Sequence, residues 1–187
     1  CIVKIYAERK MRTLTLILFL INLPIMAQSA MPTRTAMAPK MAMAYTNKTE
    51  AKVKEFYSYL ELLTDPKLNA EMKTQVKQQA LSLFGNETTA NVPDFFGKKG
   101  DSGTLDALLN KAIAQKQKYS FTLQDITTKP LSETSDPTWI IEYTVTLSGN
   151  RTVKLRQRSY LKDEYKQFGT EKKKVTTIYL SQAEEIK

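Results

Sequence analysis

Between Asn47 and Phe84 the apolar positions recur with the period of a helix. Val53, Phe56, Tyr57, Leu60 and Leu63 fall at i, i+3, i+4, i+7 spacing and predict one amphipathic helix. Asn47 can cap it, with Glu50 reaching back to the first turn. Asp65-Pro66 closes this helix and opens another, Asp65 as N-cap and Pro66 at the first helical position, where a missing N–H costs nothing. Leu68, Met72, Val76, Ala80 and Leu83 mark the buried stripe of the second helix, and Gly85 its left-handed stop. The pair predicts a helical hairpin. Val92-Pro93-Asp94-Phe95-Phe96 reads as a short edge strand or an apolar plug, followed by a Lys- and Gly-rich loop. Thr104 then caps a third helix, with Leu105, Leu108, Leu109, Ala112 and Ile113 on one face.

After Lys118 the period changes to two. Tyr119, Phe121 and Leu123 alternate with polar residues; so do Trp139, Ile141, Tyr143, Val145 and Leu147, and then Val153 and Leu155. Residues 175–180 form a fourth Thr/Ile/Tyr-rich segment, and Gly149-Asn150 marks a hairpin turn. A one-residue slip turns a strand's whole face over, so the turn length matters. A two-residue turn would pair Val145 with Lys154, core against surface. A three-residue bulged turn pairs Val145 with Leu155, Leu147 with Val153 and Glu142 with Arg158, so that facing residues agree in polarity. The predicted class is therefore α+β: three N-terminal helices packed on a curved four-stranded antiparallel sheet, with 92–96 as a candidate short edge strand.

The start of the chain follows neither period. Met11-Arg12, an apolar run from Leu14 to Leu23 and the small-residue exit Ala27-Gln28-Ser29-Ala30 have the three parts of a secretory signal peptide. The run is shorter than the roughly 20 apolar residues of a membrane span. Residues 1–10 are read as upstream reading frame or a fragment edge before Met11, residues 11–27 as the signal, 28–46 as a disordered Met/Ala/Pro-rich lead, and 47–187 as a single α+β domain. The mature chain then has no cysteine, and its 24 basic and 18 acidic residues give +6. That excess favours anionic partners, an envelope polymer or phospholipid headgroups among them. A cysteine-free exported chain fits a bacterial periplasm or exterior. Asn-x-Ser/Thr sequons at Asn47, Asn86 and Asn150 would matter only in a eukaryotic secretory pathway.

Composition closes several chemistries. With no histidine and one cysteine in 187 residues, there is no Ser-His-Asp or Cys-His set, no imidazole metal site and no CxxC pair. No cofactor is implied. The one candidate metal signal is soft: Met31, Met37, Met41 and Met43 are closely spaced thioethers of a kind that suits Cu(I), in a segment lacking the denser repeats or histidine of methionine copper sites.

The helical hairpin at 47–84, the helix at 105–116 and the long strands around Ser148-Gly149-Asn150-Arg151 together resemble the nuclear transport factor 2-like superfamily. The resemblance covers residues 47–181, is architectural and carries no diagnostic motif. It implies a cone in which helices close over the concave face of the sheet and leave a pocket. Fold alone does not choose among that superfamily's functions.

Read from the alternation, the pocket would be lined by Tyr57, Tyr143, Gln157, Ser159 and Tyr179, and would take a small apolar or amphipathic ligand or a partner's peptide. This non-catalytic binding or accessory module is the leading functional expectation. The rival is a small-pocket isomerase or lyase with Asp125 as general base and Tyr57 or Tyr143 donating to an oxyanion. It needs Asp125 to continue the inward alternation, rather than a bulge turning Ile126 in. A third reading is polyanion binding on a basic ribbon formed by Lys154, Arg156 and Arg158 with Lys172, Lys173 and Lys174 beside them. Nucleic acid is disfavoured, because stacking aromatics should interleave with that charge and Tyr160 is the one clear candidate.

Overall fold

Among the described residues three helices followed by a four-stranded meander appear in the order the two periods predict, an α+β arrangement. The computed structural model describes residues 39–131, 138–148 and 151–186. They form α1 (Pro39–Thr64), α2 (Ala70–Ser82), β1 (Asn91–Pro93), β2 (Ser102–Thr104), α3 (Leu105–Ile113), β3 (Phe121–Leu131), β4 (Thr138–Leu147), β5 (Arg151–Phe168) and β6 (Glu171–Glu185). The last four make one antiparallel sheet in sequence order, and β1 pairs with β2 in a separate small sheet. Phe95, just past β1, is buried in the main core, so the 92–96 segment is both strand and plug.

Helix α1 begins eight residues before the expected Asn47 cap. The Ala/Met-rich stretch from Pro39 to Ala44 has high helix propensity, Pro39 suits a first turn, and Tyr45 lies 5.6 Å from the Trp139 ring on β4. The expected disordered lead is thus helical from residue 39. The Asp65-Pro66 corner is also corrected: Asp65 Oδ1 accepts from the Lys67 N–H at 2.8 Å, which makes a turn, and Asn69 caps α2 by accepting from the Met72 N–H at 2.8 Å. This places Lys73, not Met72, on the inner face. The Lys73 ammonium donates to the Ile113 carbonyl at 3.2 Å, where a cation meets the C-terminus of α3.

The other helix ends follow their residues. Asn86 N–H reaches Leu81 O at 3.0 Å and Gly85 N–H reaches Ser82 O at 3.2 Å, a Schellman closure with Gly85 at φ +64. Thr104 Oγ1 accepts from the Ala107 N–H at 3.2 Å and caps α3. Its stripe of Leu105, Leu108, Leu109 and Ala112 is buried with Val53, Phe56, Leu60 and Leu63 of α1 and Ile141, Val145, Val153 and Leu155 of the sheet. One core therefore takes side chains from helices and sheet together.

The β4–β5 register differs by two residues from the expected one. Val145 faces Val153, Tyr143 faces Leu155 and Glu142 faces Arg156. The turn starts one residue early: Ser148 takes φ +45, and its N–H is satisfied by Ser120 O at 2.8 Å. Gly149 and Asn150 lie outside the described residues. A shift of two keeps every side chain on its expected face and changes only its partner. Arg156 confirms the pairing, donating through Nε and Nη2 to Glu142 Oε1 at 3.0 and 2.8 Å.

Strands β5 and β6 outrun the sheet. The last β4 pair is Thr138 with Tyr160, whereas β5 and β6 stay paired to Phe168 and Glu171. From Leu161 onward the two strands form an arm of eight residues per side, about 26 Å long at the usual rise. Gly169 at φ +61 closes it, and the Gln167 side-chain amide donates to the Gly169 carbonyl at 2.6 Å.

Candidate functional site

Three of the five expected pocket residues do come together, as interior packing. The Tyr57 and Tyr143 hydroxyls are 3.2 Å apart, Tyr143 donates to Gln157 Oε1 at 2.8 Å, and Gln157 Nε2 donates to the Ser181 carbonyl at 3.1 Å. With Tyr143's proton committed to Gln157, Tyr57 is the donor of the first bond. The Tyr57 ring is surrounded by Phe56, Phe95, Phe121 and Tyr143, with centroids 5.3 to 5.9 Å away. Tyr57, Tyr143 and Gln157 are all within 2% of complete burial, so they fill the space between α1 and the sheet rather than line a recess. Burial pushes the Tyr57 hydroxyl far above its ordinary range, with the neighbouring Tyr143 adding to the effect. Tyr143 is pushed up mainly by the same desolvation. Neither is poised to exchange a proton near neutrality.

Ser159 faces Trp139 across the β4–β5 ladder, and both are buried. Neither Ser159 Oγ nor Trp139 Nε1 meets a hydrogen-bond partner among the described residues.

The two remaining predicted residues are elsewhere. Asp125 is exposed at φ +53, in the bulge between Gln124 and Thr127, and Ile126 packs against the core in its place. The bulge breaks the alternation that would have carried the carboxylate inward. Among the described residues no carboxylate hydrogen-bonds to Tyr57 or Tyr143, and Asp125 is not placed beside them. Tyr179 sits at the root of the arm. Its ring is 5.8 Å from that of Tyr160 and lies under the Lys52 ammonium of α1 at 5.8 Å, and its hydroxyl donates to Glu164 at 2.6 Å. Desolvation, then the Glu164 carboxylate, raises the Tyr179 hydroxyl to about 12. A Cβ added to Gly85 would stand 3.2 Å from the Tyr160 hydroxyl and 3.4 Å from the Tyr179 ring, so α2's glycine exit and the arm's root fit each other closely.

The six basic residues do not form one ribbon. Lys154, Arg156 and Arg158 lie on the outer face of the sheet, but Lys172, Lys173 and Lys174 pair with Gln167, Lys166 and Tyr165 at the far end of the arm. Nine residues separate Arg158 from Gln167, about 30 Å along the strand. The expectation failed because β5 runs to Phe168 before it turns. The sheet patch is also partly neutralised, since Arg156 is shared by Glu142 at 2.8 Å and Glu184 at 3.7 Å. A shallow cleft of about 80 Å³ lies beside it, lined by Asn91, Arg156, Arg158, Gln182, Ala183 and Glu184 where β6 bulges opposite Arg158.

The arm carries what the sequence reading missed. Tyr165 is 75% and Phe168 53% exposed, among the most exposed large apolar side chains described. Lys166, Lys172, Lys173 and Lys174 flank them, with Glu171 the one carboxylate between residues 165 and 174, a local charge of +3. The available signal was the loss of alternation after Tyr160, where Lys162 to Phe168 has no apolar face, followed by Gly169-Thr170 as a turn.

For copper, Met41 and Met43 are exposed on α1, where residues two apart point to different sides of the helix. Met31 and Met37 lie outside the described residues. Among the described residues no three His, Cys, Asp or Glu side chains group to hold a metal ion, and no helix is long and apolar enough to cross a membrane. The signal run at 11–27 lies outside the described residues as well. Comparison of the chain with protein-family models, curated proteins and solved structures returned no match.

Proposed function

We propose that the protein is an exported, non-catalytic binding module of nuclear transport factor 2-like architecture, delivered to a bacterial periplasm or exterior, that engages an anionic partner through the β5–β6 arm. The observation that carries this reading is the pairing of charge with exposed aromatic surface: four exposed arm lysines stand around the exposed Tyr165 and Phe168, whereas the interior polar chain is closed on itself. Two of those lysines do meet acids, Lys173 with Glu171 at 3.2 Å and Lys174 with Asp163 at 2.8 Å, but exposed pairs of this kind are weak and readily exchanged. Lys166 and Lys172 have no carboxylate within ion-pair distance among the described residues.

Retention on heparin, a soluble polyanion, tests the reading. Reversing Lys166 and Lys172 to Glu lowers the eluting salt concentration sharply, and reversing Lys154 and Arg158 lowers it little. Retention indifferent to the arm reversal rejects the arm as the binding surface.

A further inference from the structure

We propose that the apex of the arm docks end-on on an anionic lipid bilayer, Phe168 entering the headgroup region and the lysines behind it meeting lipid phosphates. The inference rests on the arm being the binding surface and supplies the partner.

Its basis is where the residues stand relative to the turn. Phe168 immediately precedes Gly169 and pairs with Glu171, so it occupies the last ladder position of the arm before the turn. Tyr165, Lys166, Lys172, Lys173 and Lys174 all lie within three ladder positions of that apex, about 10 Å. An interfacial segment sinks about 5–10 Å into the headgroup and acyl boundary. At that depth the order along the arm is what a bilayer surface wants: an apolar ring deepest, then ammonium groups at phosphate level, then a tyrosine whose ring is apolar and whose hydroxyl is wet. Glu171 is the one opposing charge, and Lys173 is in place to neutralise it at 3.2 Å.

The same residues fit a single-stranded nucleic acid less well. Stacking successive bases requires aromatics arrayed along one face. Tyr165 and Phe168 are an odd number of positions apart on one strand and therefore lie on opposite faces of the ribbon. End-on insertion is indifferent to face and depends on depth alone. The described part of the chain holds no helix that could cross the bilayer, so contact through the arm would be peripheral.

The test is flotation of the full chain with vesicles of mixed phosphatidylglycerol and phosphatidylcholine, and with phosphatidylcholine alone. Because all variants share the apolar run at residues 14–26, differences between them report on the arm. Each lysine near an anionic surface contributes about fivefold, so Lys166→Ala with Lys172→Ala should weaken binding to the mixed vesicles about 25-fold. Phe168→Ser should weaken it about tenfold. Phe168→Trp should bind like the parent and shift its emission to the blue on mixed vesicles and not on phosphatidylcholine alone. Near-ultraviolet circular dichroism from the buried Trp139 checks that each variant is folded. Equal binding to both vesicle types, or full binding by Phe168→Ser, overturns the proposal. So does capture of a single-stranded oligonucleotide without partition onto vesicles. Heparin retention without vesicle binding overturns the bilayer assignment and leaves the arm reading intact, whereas loss of both removes the arm reading too.

Discussion

The two halves of the β5–β6 pair are one continuous ladder in two different environments. From Val153 to Ser159 the β5 side chains alternate buried and exposed, with β4 on one flank and β6 on the other. From Lys162 to Phe168 nearly every side chain is exposed, and among the described residues β6 is the one strand paired with it. The backbone pairing is the same in both halves. What differs is whether a third strand and a helix supply an apolar surface for alternate residues to bury. Antiparallel pairing alone therefore does not determine a strand's role: the near half is a wall of the core, and the far half is surface on both sides.

Substitutions that break this contrast should rank by environment. Leu155→Ala, fully buried, should cost about 2–5 kcal/mol in a urea unfolding curve, while Phe168→Ala on the same strand should stay within about 0.5 kcal/mol. A large loss from Phe168→Ala would mean that the arm packs on the body. Next comes the interior polar chain: Gln157→Leu removes Tyr143's acceptor and should destabilise by about 1–3 kcal/mol by the same measurement. Gly85→Ala, at positive φ and 3.2 Å from the Tyr160 hydroxyl, should cost about 1–2 kcal/mol. On the outer face, Arg156→Ala removes exposed ion pairs and should cost less than about 1 kcal/mol.

The root of the arm offers a pH handle on the boundary between the halves. Tyr179's hydroxyl is raised above its ordinary value, so the fold favours its protonated form. That stabilisation is complete below pH 10 and is lost as pH rises through about 12. Tyrosinate absorbance should show Tyr179 ionising above the ordinary tyrosine range, while Tyr57 and Tyr143 stay protonated until the chain unfolds. Replacing Glu164 with Gln, which takes away the carboxylate that accepts from Tyr179, should move the Tyr179 step downward.

How far the sequence could be read depended on whether a residue's neighbour was local. Thr104's cap and the stripe of α3 needed only nearby residues, and both were legible. So was the alternation on β4, because each residue's face depends on its own parity. The start of α1 was hidden because residues 39–44 have no stripe of their own, and Tyr45 docks on Trp139, far along the chain. The β4–β5 register was legible in face but not in partner, since all registers differing by two agree equally in polarity. Asp125 followed a clean pattern that the bulge interrupts, and only the bulge shows that Ile126 takes the inner place. Tyr57, Tyr143 and Gln157 meet in the interior. Whether such a group encloses space or fills it depends on the volumes of Phe56, Phe95 and Phe121, which periodicity does not measure.

The arm's open flanks have a further consequence. Among the described residues, the outward N–H and C=O groups of β5 beyond Tyr160 face no strand and β6 is the sheet's last strand, so the described arm presents an unfilled row on both sides. Such rows invite another chain to zip on, and like-charged ammonium groups at 166, 172, 173 and 174 keep two copies from doing so. Acetylating those amines, or crowding the protein on a surface that masks them, should convert the projection from a solitary finger into a seed for ribbon growth.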